Sequence, residues 1–575
     1  MAVSVRTPGQ RGVLAPTART RSWTDDAGRA VWLLALLVTA GVFGALIWAA
    51  ARDPHVVQNL LSILTANSLR DALLRTYIVA IVSSLLVLVA GIAFIFAWRL
   101  DPREQLVPIL RAPLLLHGFP AGMAFLVVFG NAGWINRVLQ LTFHLSGPPL
   151  PLAFSVAGLI VFFVIFGLPY LLAYALFSIR RDIAELEDAA RLLGCGPAEA
   201  YRRVTLPLLL GPLRTATALA FVLAAGSLSV PMIIGGGRAS LLPAEIYGVI
   251  IGSGDIARAA ALALGYVVAL MPALLLIDRL TVWGVTWFTA ASPKSSVRTS
   301  LGERQRQRRT AWAARGYQAL WFLTLAILVL APLYASFVLQ WGAGVIATAF
   351  TGQWYAAISA QFWDSLWLSF GVSLACIGLS LVGALPLALA WRFTPIPGKR
   401  LLRSLVLVPI AVPGFLWGIG VLVFFQAVAP ALSQTPLPLL LGEAWLALPF
   451  MLRVLMTGLD DIDSRVLEVA AGLGASSRSR FSRVLLPMLA PSLAMGSLLV
   501  FIRSFGESNL ALVLAPVRYP TAALWLLQGA DTAGIGLASA MDTILVIAPL
   551  VLLMIGELAL RRNLKWARAR AALPV

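Results

Sequence analysis

Residues 187–194 read Glu187-Asp188-Ala189-Ala190-Arg191-Leu192-Leu193-Gly194, and the stretch closes on Arg203-Val204-Thr205-Leu206-Pro207. The same phrase returns at an offset of 280 residues, as Leu467-Glu468-Val469-Ala470-Ala471-Gly472-Leu473-Gly474 and then Arg483-Val484-Leu485-Leu486-Pro487. Asp188 matches Glu468, Gly194 matches Gly474, Val204 matches Val484, and Leu206-Pro207 matches Leu486-Pro487, with no gap. Downstream the frame holds, pairing Phe221 with Phe501 and Gly226 with Gly506. Upstream it holds at an offset of 293, where Ala97-Trp98-Arg99 matches Ala390-Trp391-Arg392 and Pro120 matches Pro413. The change of offset places a longer external loop near 130–152 in the first copy. A fixed-offset repeat means one structural unit built twice.

The repeated phrase has a physical reading of its own. Residues 182–193 are good helix formers, and Ala189 and Ala190 leave a smooth face. Gly194 suits the left-handed residue that ends a helix. A second short helix is expected over 197–204, and Pro207 marks the return toward the next apolar run. Each copy therefore predicts a rigid helix-turn-helix knob.

Around the knobs the chain is apolar. Hydrophobic residues make up 60% of the 575, charged residues only 12%, and mean hydropathy is +0.88. A soluble domain carries about 25% charged residues, so lipid must be the solvent for much of this chain. A span needs roughly 20 apolar residues. Twelve such runs are expected, near 31–50, 76–98, 108–129, 153–177, 215–236, 257–278, 317–339, 365–391, 404–428, 439–458, 491–514 and 536–559. The first is read as a retained helix, because its preceding tail is too long for a cleaved leader.

The net charge of +19 comes from 44 basic and 25 acidic residues. It fits the positive-inside rule better than nucleic-acid binding. With both termini in the cytoplasm, the inside segments collect Arg6, Arg11, Arg19, Arg99, Arg103, Arg180, Arg181, Arg191, Arg202, Arg203 and the run from Lys294 to Arg315. They also hold Arg392, Lys399, Arg400, Arg478, Arg480, Arg483 and the tail from Arg561 to Arg570, whereas the outside loops keep only a handful. Both knobs then face the cytoplasm. The expected organisation is a tail at 1–29, a six-span half at 30–279, a cytoplasmic linker at 280–316, a second half at 317–560 and a tail at 561–575. The fold class is all-α integral membrane. Parallel repeats place a pseudo-two-fold axis along the membrane normal, with a pathway between the halves.

The pattern Glu-Ala-Ala, three residues, Gly, nine residues, Ile-x-Leu-Pro marks permease subunits of bacterial ABC importers, and the chain resembles it twice. The first copy is Asp188, Ala189, Ala190, Gly194, Val204, Leu206 and Pro207; the second is Glu468, Val469, Ala470, Gly474, Val484, Leu486 and Pro487. Asp for Glu and Val for Ala or Ile are the departures. The resemblance implies a type I importer permease with both halves in one chain, similar to permeases for ferric iron, thiamine and 2-aminoethylphosphonate, ferric iron foremost. It implies an inner-membrane location, knobs that dock into two ATPase subunits forming a homodimer, and an extracytoplasmic binding protein that delivers the solute. ATP and magnesium would sit on those partners. The chain itself has no GxxxxGK[ST] loop to cradle phosphate, since its one Gly-Lys pair, Gly398-Lys399, runs into Arg400. No enzyme activity, bound cofactor or metal site is expected. Cys195 and Cys376 lack metal spacing, and His55, His117 and His144 form no ligand cluster.

Charges inside a span usually face a partner or a water-filled cavity. Arg503 and Glu507 sit four residues apart in the eleventh run, opposite Leu223 and Ser227 of the first half. They are read either as lining the pathway, together with Ser227, or as an i,i+4 pair neutralising itself. A competing function is an ion-coupled secondary transporter with two parallel halves, which needs membrane carboxylates. Glu507 qualifies, with Glu443 and Asp542 expected nearer span ends. That reading gives no reason for two knobs in one register, and neither does a membrane scaffold without transport.

Overall fold

The computed structural model describes residues 39–101, 118–177, 181–290, 301–342, 344, 346–393, 412–516 and 518–571. It is helical apart from one antiparallel hairpin, Val338–Gln340 with Ala349–Phe350. Among the described residues eight helices are long and apolar enough to cross a membrane, or nine if the bent pair Pro197–Leu208 and Leu210–Ala225 counts as one. The protein is an all-α integral membrane protein with two similar halves.

The expected runs map onto this framework with definite differences. The runs at 76–98, 257–278, 365–391 and 439–458 lie inside Asn67–Leu100, Ile256–Ala290, Ala360–Phe393 and Leu437–Asp460, whereas the run at 317–339 overshoots Leu301–Ala335 and ends in the strand Val338–Gln340. The run at 153–177 is Val156–Phe177. The runs at 31–50, 108–129 and 404–428 lie partly outside the described residues and show as Thr39–Ala51, Gly118–Phe129 and Gly414–Val428. The runs at 215–236 and 491–514 are not continuous helices. Each stops at its repeat glycine, Leu210–Ala225 before Gly226 and Leu486–Phe505 before Gly506, and restarts as Ser229–Gly235 or Asn509–Leu514. Two shorter apolar helices were not anticipated, Val56–Thr65 and Leu242–Ser253. The linker expected at 280–316 is helical at 280–290 and 301–316, continuing the flanking spans.

Unlike a soluble bundle, the spans are apolar on their exposed faces as well as inside. On Asn67–Leu100, Leu74, Ile78, Val82 and Leu86 recur every four residues and are exposed, whereas Thr76, Ser83 and Ser84 are buried. A four-residue spacing keeps side chains on one helix face, so the apolar stripe meets lipid. The inner hydroxyls bond to the preceding turn of their own helix, as Thr76 Oγ1 does to the Ala72 carbonyl at 2.7 Å. A buried hydroxyl without such a partner would be costly in an apolar interior.

The halves exchange their leading helices. Thr39–Ala51 packs on Gly414–Val428 of the second half, where the Phe43 and Trp417 rings meet edge-on at 5.9 Å and Val42 lies over Gly420. Leu301–Ala335 packs on Asn67–Leu100 of the first half through Phe94–Phe322, 6.2 Å apart, and a 3.1 Å bond from the Tyr317 hydroxyl to the Ala90 carbonyl. Leu301–Ala335 also fixes the ends of the molecule. Near its start Arg315 pairs with Asp101, beside the first knob; at its finish the chain enters the hairpin, whose Gly342 and Gly344 carbonyls accept from Arg137. Twenty helical residues at about 1.5 Å each separate these two ends by about 30 Å, the thickness of a bilayer core. Ala360–Phe393 starts just after the hairpin and ends at the second knob, so both knobs lie at the end opposite the hairpin.

Candidate functional site: paired knobs and meeting kinks

The knobs close in the same way. Arg181–Leu192 ends with Gly194 at φ 91°, and Ser464–Gly472 with Gly474 at φ 80°. In the first, the N–H of Cys195 reaches back to the Ala190 carbonyl and that of Gly194 to Arg191; in the second, Ala475 reaches Ala470 and Gly474 reaches Ala471. This pair of bonds is the Schellman closure, and it needs a left-handed residue, which glycine adopts without strain. Ala190 and Ala470 therefore serve through their carbonyls as well as through their small side chains. The tips are apolar and bare: Leu192, Leu193 and Leu473 are 90%, 85% and 84% exposed, and Val469 61%. Asp188 and Glu468 are exposed as well.

The second helix does not stop at 204. Pro197–Ala200 passes into a wide turn, Tyr201–Thr205, then into Leu206–Leu208; Ser477–Arg480 passes into the same turn at Phe481–Leu485. In both, the N–H of the residue before proline bonds five residues back, Leu206 to Tyr201 and Leu486 to Phe481. Pro207 and Pro487 have no N–H to give, and a widened turn accommodates them. The first copy then bends by 69° at Leu209, whereas Ser477–Phe505 continues as one span. Pro212 follows the bend and has no N–H for the Leu208 carbonyl; its counterpart is Ser492.

What anchors each knob differs, and the sequence reading missed it. Glu187 is 1% exposed and accepts from Arg99 through Nε and Nη2, from Arg191 at 3.2 Å and from Thr205 Oγ1 at 3.2 Å. Arg99 closes the long helix Asn67–Leu100, so this carboxylate ties the knob to that helix. The positions matching Glu187, Arg191 and Thr205 hold Leu467, Ala471 and Leu485, and Leu467, like Trp391, packs against the apolar cluster that includes Ile462 and Leu485 instead. One knob is held by charge and the other by apolar contact. Attention to the motif acid, Asp188, hid the acid beside it; the buried Ile183, one helical turn earlier, shares a face with Glu187 and marks that face as inward.

At mid-membrane the two kinks meet. Asn509 Oδ1 accepts from the backbone N–H of Leu228 at 2.9 Å, and from the N–H and hydroxyl of Ser229 at 3.0 and 3.1 Å. The Ser508 hydroxyl donates to Ser229 Oγ at 2.9 Å. Ser227 is buried beside them. Its counterpart Glu507 accepts from the N–H groups of Asn509 and Leu510 at 2.8 and 3.0 Å, capping the short helix Asn509–Leu514. Arg503 lies 3.8 Å from Glu507, longer than a charge-assisted hydrogen bond, and sits over the Phe450 ring at 5.2 Å. So the pair expected from i,i+4 spacing is loose, and Glu507 spends one oxygen on the backbone. Tyr170, the first-half match of Phe450, lies within reach of both charges. Ser227, Arg503 and Glu507 thus gather where the halves face each other. Glu443 lies toward the start of Leu437–Asp460, as expected, yet it is 4% exposed and accepts from the Ser504 hydroxyl. Asp542 is fully buried, with neither carboxyl oxygen partnered among the described residues. The halves also pack closely here. Gly226 lies so near Pro413 that a Cβ there would come within 2.5 Å of it, and the adjoining cavity beside Phe221 and Pro413 is about 10 Å³.

Comparison with known proteins agrees with this geometry. The family described as binding-protein-dependent transport system inner membrane component matches residues 381–565, which include the second knob and the second kink. A probable ABC transporter permease protein of Sinorhizobium fredii is 27% identical over 503 residues, 81% of this chain and 83% of that protein. The ferric transport system permease protein FbpB of Actinobacillus pleuropneumoniae is 22% identical, covering 83% of this chain and 71% of its own length. The molybdenum transport system permease protein ModB of Mycobacterium tuberculosis is 31% identical over 36% of this chain and 80% of itself.

Proposed function

The chain belongs to the inner-membrane components of binding-protein-dependent transport systems, the permeases of ABC importers, and we propose that its two knobs are the points at which ATPase subunits drive it. As a multi-pass permease of this family it works with ATPase and substrate-binding partners. In the reading put forward here, the exposed leucines of each knob enter a groove on one ATPase subunit of a homodimer, which carries ATP and magnesium. Asp188, Ala189, Ala190, Gly194, Leu206 and Pro207 shape one knob; Glu468, Val469, Ala470, Gly474, Leu486 and Pro487 shape the other. Both knobs and both termini face the cytoplasm, in accord with the Arg-rich loops. The solute arrives from a binding protein at the hairpin end.

The observation that carries this reading is the duplicated Schellman closure with bare apolar tips at one end of the molecule. When the ATPases close, the knobs approach, and the rigid helices behind them move the kinks at Gly226 and Gly506. The Ser229–Asn509 contact is then the gate, shut in this conformation. For the solute, ferric iron is proposed, because a relative named for ferric transport aligns across both halves. A secondary transporter has no use for the knobs. The test is replacement of Gly194 or Gly474 by a bulky residue, or of Glu468 by Lys, with ATPase association and solute uptake measured in membranes. Both should fall; unchanged association and uptake would refute the coupling role.

A further inference from the structure

Four side chains converge beside the gate: Glu443 on Leu437–Asp460, and Arg503, Ser504 and Glu507 at the end of Leu486–Phe505 and its kink. They line one space with Leu446 and Ala447, whose volume in this closed conformation is ≈ 0 Å³. Their first-half counterparts are Phe163, Leu223, Ala224 and Ser227. So at four matched positions one half carries two carboxyl groups, a guanidinium and a hydroxyl, and the other carries a single hydroxyl. Isolated charges in a membrane interior are expensive, and a cluster confined to one copy of a repeat is not demanded by the shared fold.

The cluster is incompletely satisfied in the closed state. Glu443 accepts from Ser504 through Oε2, while its buried Oε1 has no partner among the described residues. The nearby guanidinium of Arg503 is held 3.8 Å from Glu507. A buried acceptor left unmade is costly, and more so if charged.

We infer that Glu443, Ser504 and Glu507 form a cation-selecting station on the translocation pathway, with Arg503 as its tethered occupant while the gate is shut. This rests on the permease reading above and adds the residues that would recognise the positive charge of the solute proposed there. Glu507 and Arg503 flank the kink at Gly506. Movement of that kink carries Arg503 away and leaves two carboxyl groups and a hydroxyl facing the opened route. Two carboxyl groups are too few to retain a metal ion tightly, which suits a station that must release its load. An anionic solute would meet them unfavourably. Walls of low dielectric concentrate such a field, raising the local level of the favoured ion by roughly 10-fold or more.

The test uses the full chain with its ATPase subunits in nanodiscs, on a Cys195→Ser, Cys376→Ser background. Ala447→Cys, and separately Leu446→Cys, places a thiol on the wall of this space. During ATP turnover each is treated with a cationic and an anionic methanethiosulfonate of similar size. Relative to their rates with a free thiol in solution, the cationic reagent should react about 10-fold faster, and adding Glu443→Gln should bring that normalised ratio close to one. Equal normalised rates, a preference for the anionic reagent, or no reaction at either thiol during turnover overturns the station. A complex that assembles and hydrolyses ATP yet shows no charge preference removes the station alone. Failure to assemble at all removes the coupling reading and the station with it.

Discussion

Asn509 accepts two hydrogen bonds from Ser229, from its N–H at 3.0 Å and its hydroxyl at 3.1 Å, and Ser229 is the residue that stands in Asn509's own place in the first half. A residue touches its own counterpart only on the symmetry axis of a repeat. The pseudo-two-fold axis therefore runs through this contact, and so does any route between the halves. Because one member is Asn and the other Ser, the contact is directional: a single carboxamide oxygen gathers donors from the opposite kink.

Replacing Asn509 with Leu removes the acceptor of three donors at once, two of them backbone N–H groups. The shut conformation should lose stability relative to the open one. A coupling change of 1–3 kcal/mol corresponds to about 5- to 150-fold. Basal ATP hydrolysis by the assembled transporter, without binding protein, should rise at least about 5-fold. Basal hydrolysis equal to that of the wild type would show that this contact does not hold the gate.

Glu187→Leu tests the ionic anchor of the first knob. The change leaves Arg99 without its carboxylate, and breaking a buried pair costs about 3–5 kcal/mol; the low end applies, since Arg99 is 21% exposed. ATPase association and uptake should both drop. Because Glu187 is shielded, raising salt from low to high should leave wild-type association at the first knob largely unchanged. Leu467→Ala, at the matching place, should weaken the second knob by lost apolar packing with no dependence on salt at all.

At Gly474 the space around the α-carbon is open, with nothing within 4 Å of an added Cβ. Substitution there reports backbone strain alone. The left-handed conformation costs an ordinary residue about 1–2 kcal/mol, and Asn tolerates it better than most. ATPase association should rank Gly, then Asn, then Ala, then Val. A ranking that follows side-chain size without regard to Asn would point to steric exclusion by the partner instead.

Sidedness is testable with the natural thiols. Cys195 follows Gly194 on the first knob and is partly exposed, whereas Cys376 is buried. A membrane-impermeant maleimide should label Cys195 in inverted vesicles and spare it in intact cells. Thr348→Cys in the hairpin, on a Cys195→Ser background, should give the reverse pattern. Labelling of Cys195 from the outside of intact cells would invert the proposed orientation.

The sequence made the repeat legible because both knobs depend on residues that have few substitutes: glycine at a left-handed position and proline after a helix. It made the lipid-facing spans legible because their composition exceeds anything a soluble domain carries. The breaks at Gly226 and Gly506 were hidden, since apolar residues continue on both sides and hydropathy does not register a kink. Glu187 was hidden for a different reason. Its role depends on Arg99, 88 residues earlier in the chain, and only the packing of two helices brings them together. Glu443 was visible as a carboxyl in an apolar run, but its convergence with Arg503 and Glu507 is a fact of three dimensions.

The exchanged leading helices bear on how the protein is put together. Since Thr39–Ala51 rests on the second half and Leu301–Ala335 on the first, neither half owns a finished lateral surface until the other has been synthesised. The peptide connection across 291–300 then guarantees equal dosage of the two halves and spares them a search in the bilayer, while the clasp of crossed helices supplies the adhesion. A polypeptide severed at that point and produced as two pieces from one cell should still come out of detergent as a single particle.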